Sequence, residues 1–503
     1  MVLCMETQNK DVKYWHARRT ALKIEGRAFI DGIYREAGGR HVFDCVSPID
    51  GAVLARISAC SGAEVDDAVR AARRAFDSNG WAGLNPRDRK AIMLRWAALI
   101  RAHADELALL ETLDAGKPIA DTTTVDVPGA AYCVEWFAEA IDKFGGEVAP
   151  VDQSLVGLVT REPIGVVAAV VPWNFPLLMA AWKFAPALAA GNSVVLKPSE
   201  KSPLTAIRVA QLAREAGVPP GVFNVLPGGA EAGKALALHR DVDCIAFTGS
   251  TQVGKLIARY AGESNLKRVW LELGGKSPNI VLPDCPDLDR AATTAASAIF
   301  YNMGEMCTAG SRLLVHRDIK GAFLDRLVDA AHRYMPGNPL DPATAMGAIV
   351  DQAQLDRVLG YVDAGKREAR LMTGGSRAHV IDGGFYIEPT IFDTDNSDAL
   401  IAREEIFGPV LSVITFDTID EAVRIANASD YGLAAAVWTA DLTTAHGVSR
   451  RLRAGTVWVN CYDEGGDMNF PFGGYRQSGN GRDKSLHALE KYTELKSTLI
   501  RLR

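Results

Sequence analysis

Residues 164–196 form the most apolar stretch of this 503-residue chain, and the residues that interrupt it decide what the chain can fold into. A membrane span needs about 20 apolar residues without a break. Here Pro172, Asn174, Pro176, Lys183, Pro186 and Asn192 divide the run. The pieces predict a strand, a turn, a helix and a second strand. Residues 165–171 (Gly-Val-Val-Ala-Ala-Val-Val) are short, continuous and rich in valine, as a strand buried on both faces requires. Residues 176–190 read as a helix closed by Gly191 and Asn192, and residues 193–197 as the next strand.

The alternation continues. Strands are expected at 222–226, 244–247 and 269–273, with helices at 204–216, 231–238 and 252–260 between them. Repeated β-α-β units with short connections imply a parallel, doubly wound, Rossmann-like sheet. Such sheets bind ligands beyond the C-terminal ends of their strands. A second α/β series follows, with helices at 288–301 and 319–334 and strands at 312–315, 410–416, 434–438 and 456–459. Upstream, Asn85-Pro86 makes an N-cap and N1 pair, and Gly116 with Pro118 gives a helix stop. At about 150 residues per domain the length suggests three units. The pattern gives an α/β fold of two doubly wound lobes with additions.

Composition removes other classes. Hydrophobic residues make up 48% of the chain, enough for a large core, so disorder is excluded. The net charge is −6 and there is no basic tract, which argues against nucleic acid as a partner. The eight cysteines (Cys4, Cys45, Cys60, Cys133, Cys244, Cys285, Cys307 and Cys461) are scattered, with no C-x-x-C pair. Residues 1–19 lack the apolar core of a signal peptide. A reducing cytoplasm is therefore the expected compartment. The Gly274-Gly-Lys-Ser277 segment is not a P-loop, because Trp270 stands where the earlier glycine is needed. The chain contains no G-x-G-x-x-G and no G-x-S-x-G. Its nine histidines form no H-E-x-x-H, so no catalytic metal is expected.

Three segments remain. Asn302-Met-Gly-Glu-Met-Cys-Thr-Ala-Gly310 places Cys307 in a glycine-containing connection after a helix. Most free cysteines are buried ballast, so context must single this one out. Trp270-Leu-Glu-Leu-Gly-Gly-Lys-Ser277 puts Glu272 at an apolar strand end, where a carboxylate is costly unless paired or functional. Val171-Pro-Trp-Asn-Phe-Pro176 sets Asn174 between two prolines beyond a strand. Taken singly, each segment is as readily structural.

Together the three segments resemble the aldehyde dehydrogenase superfamily. Val195-Leu-Lys-Pro-Ser-Glu200, Phe247-Thr-Gly-Ser-Thr251, Glu404-Glu-Ile-Phe-Gly-Pro409 and Pro471-Phe-Gly-Gly474 follow in that family's order, so the resemblance covers nearly the whole chain. It implies that Cys307 is the nucleophile, that Asn174 and the Cys307 backbone N–H hold the oxyanion, and that Glu272 activates the hydrolytic water. It implies NAD as cofactor, with NADP less favoured because Glu200 would repel a 2′-phosphate. The implied cofactor residues are Val171, Trp173, Lys197, Glu200, Gly228, Thr248, Gly249, Ser250, Gly274, Glu405 and Phe407. Of these, Thr248, Gly249 and Ser250 would meet the pyrophosphate at a helix N-terminus. The implied domains are residues 1–143 with 164–273 (NAD-binding), 274–484 (catalytic), and 144–163 with 485–503 (an oligomerisation arm of a dimer or tetramer).

Glu111-Thr-Leu-Asp-Ala-Gly-Lys-Pro118, residues 137–143 and residues 478–490 are most similar to bacterial gamma-glutamyl-gamma-aminobutyraldehyde dehydrogenases of putrescine breakdown. An ω-aminoaldehyde substrate is implied, with Asp114 and Asp463 as its acidic contacts at the channel mouth and Asp121, Glu464 and Asp467 as further candidates. A broad-range or betaine aldehyde dehydrogenase is an alternative. A cysteine-dependent acyltransferase, which would make no NADH, is a more remote one. Two departures from the family pattern stand out. Glu305 replaces the family's usual glutamine, and an ionised carboxylate there would raise the Cys307 pKa, so Glu305→Gln is expected to lower the acidic limb of the pH–rate profile. Asp483 replaces a common glutamate, and with Lys183 it is expected to form a proton path to Glu272.

Overall fold

The computed structural model describes residues 10–38, 41–465 and 467–503; Cys4 lies outside them. The first α/β series folds as a seven-stranded sheet. Its strands are Ala28–Ile30 (β1), Ile33–Arg35 (β2), Val166–Val170 (β3), Ser193–Lys197 (β4), Phe223–Val225 (β5), Cys244–Thr248 (β6) and Arg268–Glu272 (β7). Their spatial order is β7-β6-β3-β4-β5-β1-β2. β3 to β7 pair in parallel, and β1 joins β5 and β2 antiparallel. Every residue of β3 and β4 is buried, which is why both strands lack polar alternation.

The strand order reverses at β3. The chain runs outward through β4 and β5, then returns to β6 on the other flank of β3. Loops leaving the ends of β3 and β6 therefore diverge and open a crevice. The β3 loop carries Asn174 and the β6 loop carries Thr248-Gly249-Ser250. Helix Pro176–Ala189 leaves the crevice with Pro176 at its N1 position, where a missing N–H costs nothing.

The second series forms another seven-stranded sheet from Pro278–Val281 (β8), Arg312–His316 (β9), Arg370–Thr373 (β10), Thr390–Thr394 (β11), Val410–Phe416 (β12), Ala434–Trp438 (β13) and Thr456–Val459 (β14). Its order is β10-β11-β12-β9-β8-β13-β14, parallel except at β10. Only Leu273 to Ser277 separate β7 from β8, so this glycine-bearing connection ties one sheet to the other.

Glu147–Ala149, Leu155–Pro163 and Thr493–Arg501 make a third, antiparallel sheet. It leaves Val148, Leu495, Leu499 and Ile500 exposed. The helical run expected from Asn85 to Gly116 is two helices, Pro86–Ala102 and Ala104–Ala115, broken at His103. Asn85 does cap the first by accepting the Arg87 N–H, and Gly116 closes the second at φ +77°. Among the described residues no helix is long and apolar enough to cross a membrane.

Candidate active site

Helix Leu288–Phe300 delivers the chain to a tight turn, where Asn302, Met303 and Gly304 have φ of 48°, 56° and 69°. Such backbone is strained for Met303 in particular and persists only where the surroundings fix it. A Cβ on Gly304 would sit 2.3 Å from the Gly408 carbonyl oxygen. The Asn302 amide supplies the fixing hydrogen bonds. Its Nδ2 donates to the carbonyls of Asn174 and Glu305, both at 3.1 Å. The Asn174 Nδ2 in turn donates to the Glu305 carbonyl at 2.8 Å. An amide nitrogen carries two hydrogens, so one Asn174 N–H remains for an oxyanion. Lys117, fully buried over the Phe175 ring, donates to the Asn174 carbonyl at 3.2 Å and completes the clamp.

Cys307 and Asn174 line one cavity of about 170 Å³. Among the described cysteines, Cys307 alone lines it. Burial is the main force pushing its thiol far above the usual range, and the carboxylates of Glu272, Glu405 and Asp463 add to it. The Cys307 thiol therefore holds its proton tightly. A Cβ on Gly275 would lie 2.5 Å from the Cys307 carbonyl, so the two loops meet only because that residue is glycine.

Glu272 ends β7 and is 3% exposed. Neither of its carboxylate oxygens has a hydrogen-bond partner among the described residues. Burial holds its proton affinity well above the ordinary carboxylate range, Asp483 raises it further, and Lys183, Lys491 and Arg482 oppose. A buried acid left unpaired in this way holds a proton more tightly than a solvated carboxylate and is suited to general-base work. Gly473 (φ +157°) lets its carboxylate in, since a Cβ there would come 2.6 Å from Oε1.

Trp173, Thr248, Gly249, Ser250, Gly274, Glu405 and Phe407 line the same cavity. The buried Thr248 hydroxyl has no partner among the described residues. Ser250 caps helix Thr251–Glu263 by accepting the Val253 N–H. The Gly249 N–H is already donated to the Glu272 carbonyl at 3.1 Å, so it does not serve a phosphate; the donors left are the Thr248 hydroxyl and the first turn of the helix. Glu405 Oε1 accepts the Gly275 N–H at 2.9 Å, and burial pushes this carboxyl up to about 6. A Cβ on Gly274 would fall 2.1 Å from the Glu405 carboxylate. The Phe407 ring meets Trp173 edge-on at 5.3 Å.

Val171, Lys197, Glu200 and Gly228 lie along the β3 to β5 side. The Val171 N–H donates to the Lys197 carbonyl. The buried Lys197 Nζ donates to the Pro198 carbonyl at 2.8 Å and stands 3.8 Å from the half-exposed Glu200 carboxylate. A Cβ on Gly228 would sit 2.8 Å from the Cys60 carbonyl.

Gln354 and Arg357 also line the cavity and are absent from the sequence reading. The Gln354 Nε2 donates to the Phe407 carbonyl at 2.7 Å, and Arg357 donates to the Glu405 carbonyl at 2.9 Å. Both sit on helix Gln352–Glu368, whose pattern is that of an ordinary amphipathic helix with no motif to mark them.

Two expectations are overturned. Asp114 is not at a channel mouth: it is fully buried, and its Oδ2 accepts the Leu204 N–H at 3.0 Å, capping another helix from a distance. Glu305 is not an open, solvated carboxylate beside the thiol. It is 1% exposed, burial holds its proton affinity well above the ordinary range, and its Oε1 accepts the Val350 N–H at 3.2 Å. A neutral acid and an amide differ little in charge, so Glu305→Gln is expected to leave the pH–rate profile in place; a displacement of half a pH unit or more in kcat against pH would contradict this. Among the other acids, Glu464 is an exposed partner of Arg290, Asp467 is exposed, and Asp463 lies on an open pocket with its charge felt at Cys307.

A cavity-lining thiol, an amide donor beside it and an unpaired carboxylate at the adjoining strand end are a set suited to acyl-transfer chemistry. The chain belongs to the aldehyde dehydrogenase family, whose model matches residues 34–498. It is 54% identical to the NADP/NAD-dependent aldehyde dehydrogenase PuuC of Escherichia coli (strain K12), over 97% of this chain and 98% of that protein. The solved gamma-glutamyl-gamma-aminobutyraldehyde dehydrogenase of Burkholderia cenocepacia J2315 is 78% identical with a TM-score of 0.97, covering 98% of this chain and all of that one (100%). The P. syringae indole-3-acetaldehyde dehydrogenase AldA, solved with NAD+ and IAA, is 62% identical with a TM-score of 0.97, covering 98% and 100%.

Proposed function

We propose that this protein oxidises an ω-aminoaldehyde to its carboxylic acid, with NAD as acceptor, through a thioester on Cys307. The observation that carries the chemistry is the meeting of Cys307 and Asn174 in one cavity with the Glu272 charge bearing on the thiol. The Cys307 sulfur, once deprotonated, attacks the carbonyl carbon, and the free Asn174 N–H holds the oxyanion. When bound, the oxidised dinucleotide supplies a hydride acceptor and a positive charge that favours the thiolate. Glu272 then takes a proton from the water that attacks the thioester, and the acid leaves. The unpartnered Thr248 hydroxyl and the helix N-terminus fit a dinucleotide. Lys197 and Glu200 fit the adenosine ribose of NAD better than a 2′-phosphate.

The aminoaldehyde reading rests on acids around Tyr301. Burial is the main force raising the affinity of that hydroxyl for its proton, and Asp126, Asp121, Asp463 and Glu111 add to it. Asp126 is neutralised by Lys117 at 2.9 Å, and Glu111 accepts the Leu177 N–H. Asp121 keeps a buried oxygen with no partner among the described residues, and burial pushes it up to about 7. An ammonium group placed there would pair with a carboxylate that ionises as pH rises through neutrality. Asp121→Asn is expected to lower kcat/KM for an ω-aminoaldehyde by about 10-fold, the loss of one charge-assisted hydrogen bond. It should leave kcat/KM for a neutral aldehyde of equal length unchanged. In the unaltered enzyme the preference for the amine should grow between pH 6 and 8, as a carboxyl pushed up to about 7 by burial ionises. Equal kcat/KM for both substrates, or a preference for indole-3-acetaldehyde, would contradict the aminoaldehyde reading. The exposed apolar residues of the arm sheet leave an edge suited to a second copy of the chain.

A further inference from the structure

Asp483 does more than meet Lys183. Its carboxylate is 1% exposed and held by two lysines at once: Oδ2 accepts from Lys183 Nζ and Oδ1 from Lys491 Nζ. Both lysines are buried, with side chains 1% and 4% exposed. The Lys491 carbonyl is tied to β7, the strand that ends in Glu272, by the Trp270 Nε1 donor at 2.9 Å. Asp483 itself pairs through both backbone groups with Phe472, at 2.7 Å each, and Phe472 precedes the Gly473 that packs on Glu272. The three ions are thus fixed against the base from two elements, while Glu272 bonds to none of them.

We propose that Lys491 is a positioning residue for Glu272: it locks Asp483 against Lys183 and leaves the base facing a cluster with one net positive charge. A lysine–aspartate pair alone would be neutral. The second lysine favours the ionised base, against the burial that disfavours it, so that Glu272 can lose its proton at working pH. The charged and titratable groups bearing on Glu272 are Asp483, Lys183, Lys491, Arg482 and the Cys307 thiol. Two features follow from this placement. Asp483 bonds to the two lysines and makes no hydrogen bond to Glu272. The charge of the cluster, more than its identity, sets the acidic limb of deacylation.

This inference rests on the thioester chemistry proposed above. Its test is the pH dependence of acyl-enzyme breakdown, followed by rapid-quench after a single turnover. Lys491→Met makes the cluster neutral and should move the acidic limb up by about one pH unit, about a tenfold loss on that limb. Lys491→Arg keeps the charge and should restore the limb. Lys491→Gln makes the same neutral cluster while keeping a donor to Asp483, so it should move the limb as Lys491→Met does, and it serves if Lys491→Met does not fold. A purely structural lysine would lower activity and melting temperature with the limb unmoved, and that result would overturn the proposal. An unaltered enzyme that makes no NADH from any aldehyde would instead overturn the function it rests on.

Discussion

Cys307→Ala should abolish aldehyde-dependent NADH formation, with a fall of about 10⁴-fold or more, because no other group can form the covalent intermediate. The other described cysteines offer no substitute. Cys45, Cys60, Cys133 and Cys244 are buried, Cys285 lies outside the cavity, and Cys461 is on a neighbouring loop. Removing one sulfur from the cavity leaves Thr248, Ser250, Gly274, Glu405 and Phe407 where they are, so dinucleotide affinity by titration calorimetry should hold within about threefold. Activity above that background would show that the thiol is not the nucleophile. Loss of dinucleotide binding would show instead that the pocket had collapsed.

Glu272→Gln should separate the two halves of the reaction. Acylation does not need the base that activates water, so one equivalent of NADH should appear as a burst. Steady-state turnover should then fall by about 10²–10⁴-fold, the usual contribution of a general base. The same substitution has a sign for stability. The folded state holds the Glu272 proton more tightly than the unfolded chain, whose carboxyl titrates near 4.5. Glu272 therefore costs nothing below that pH, and its ionisation lowers stability as pH rises from 4.5 through the folded-state value. The glutamine variant is expected to melt higher than its parent at pH 8 and no higher at pH 4. A slow variant without a burst would mean that Glu272 acts before the thioester forms.

The parts of this fold that sequence made legible are those where pattern and burial coincide. β3 and β4 are buried on both faces and read as unbroken valine and alanine, and the prolines after β3 mark the turn that presents Asn174. β1 and β2 are three residues each and carry no β-α-β context, so nothing in the sequence ties them to the sheet edge. The proposed catalytic trio became visible through resemblance, because Cys307, Glu272 and Asn174 are more than 30 positions apart in the sequence. Charge was the least legible property. Nothing in the sequence marks Asp114 and Glu305 as buried, yet one is a remote helix cap and the other accepts the Val350 N–H in the interior. Gln354 and Arg357 reach the cavity from a helix whose surface looks ordinary. Lys491 sits eight positions beyond Asp483, and the side-chain bond between them shows only once residues 484–490 fold back.

The central claim is a thioester on one named sulfur. The direct measurement is intact-protein and peptide mass spectrometry of the Glu272→Gln variant, quenched in acid after mixing with NAD and an ω-aminoaldehyde. The predicted result is a mass gain equal to the aldehyde less two hydrogens, on the peptide containing Cys307, in step with the NADH burst and absent from the Cys307→Ala variant. NADH formed without an adduct, or an adduct carried by Cys461 or any other residue, would contradict it.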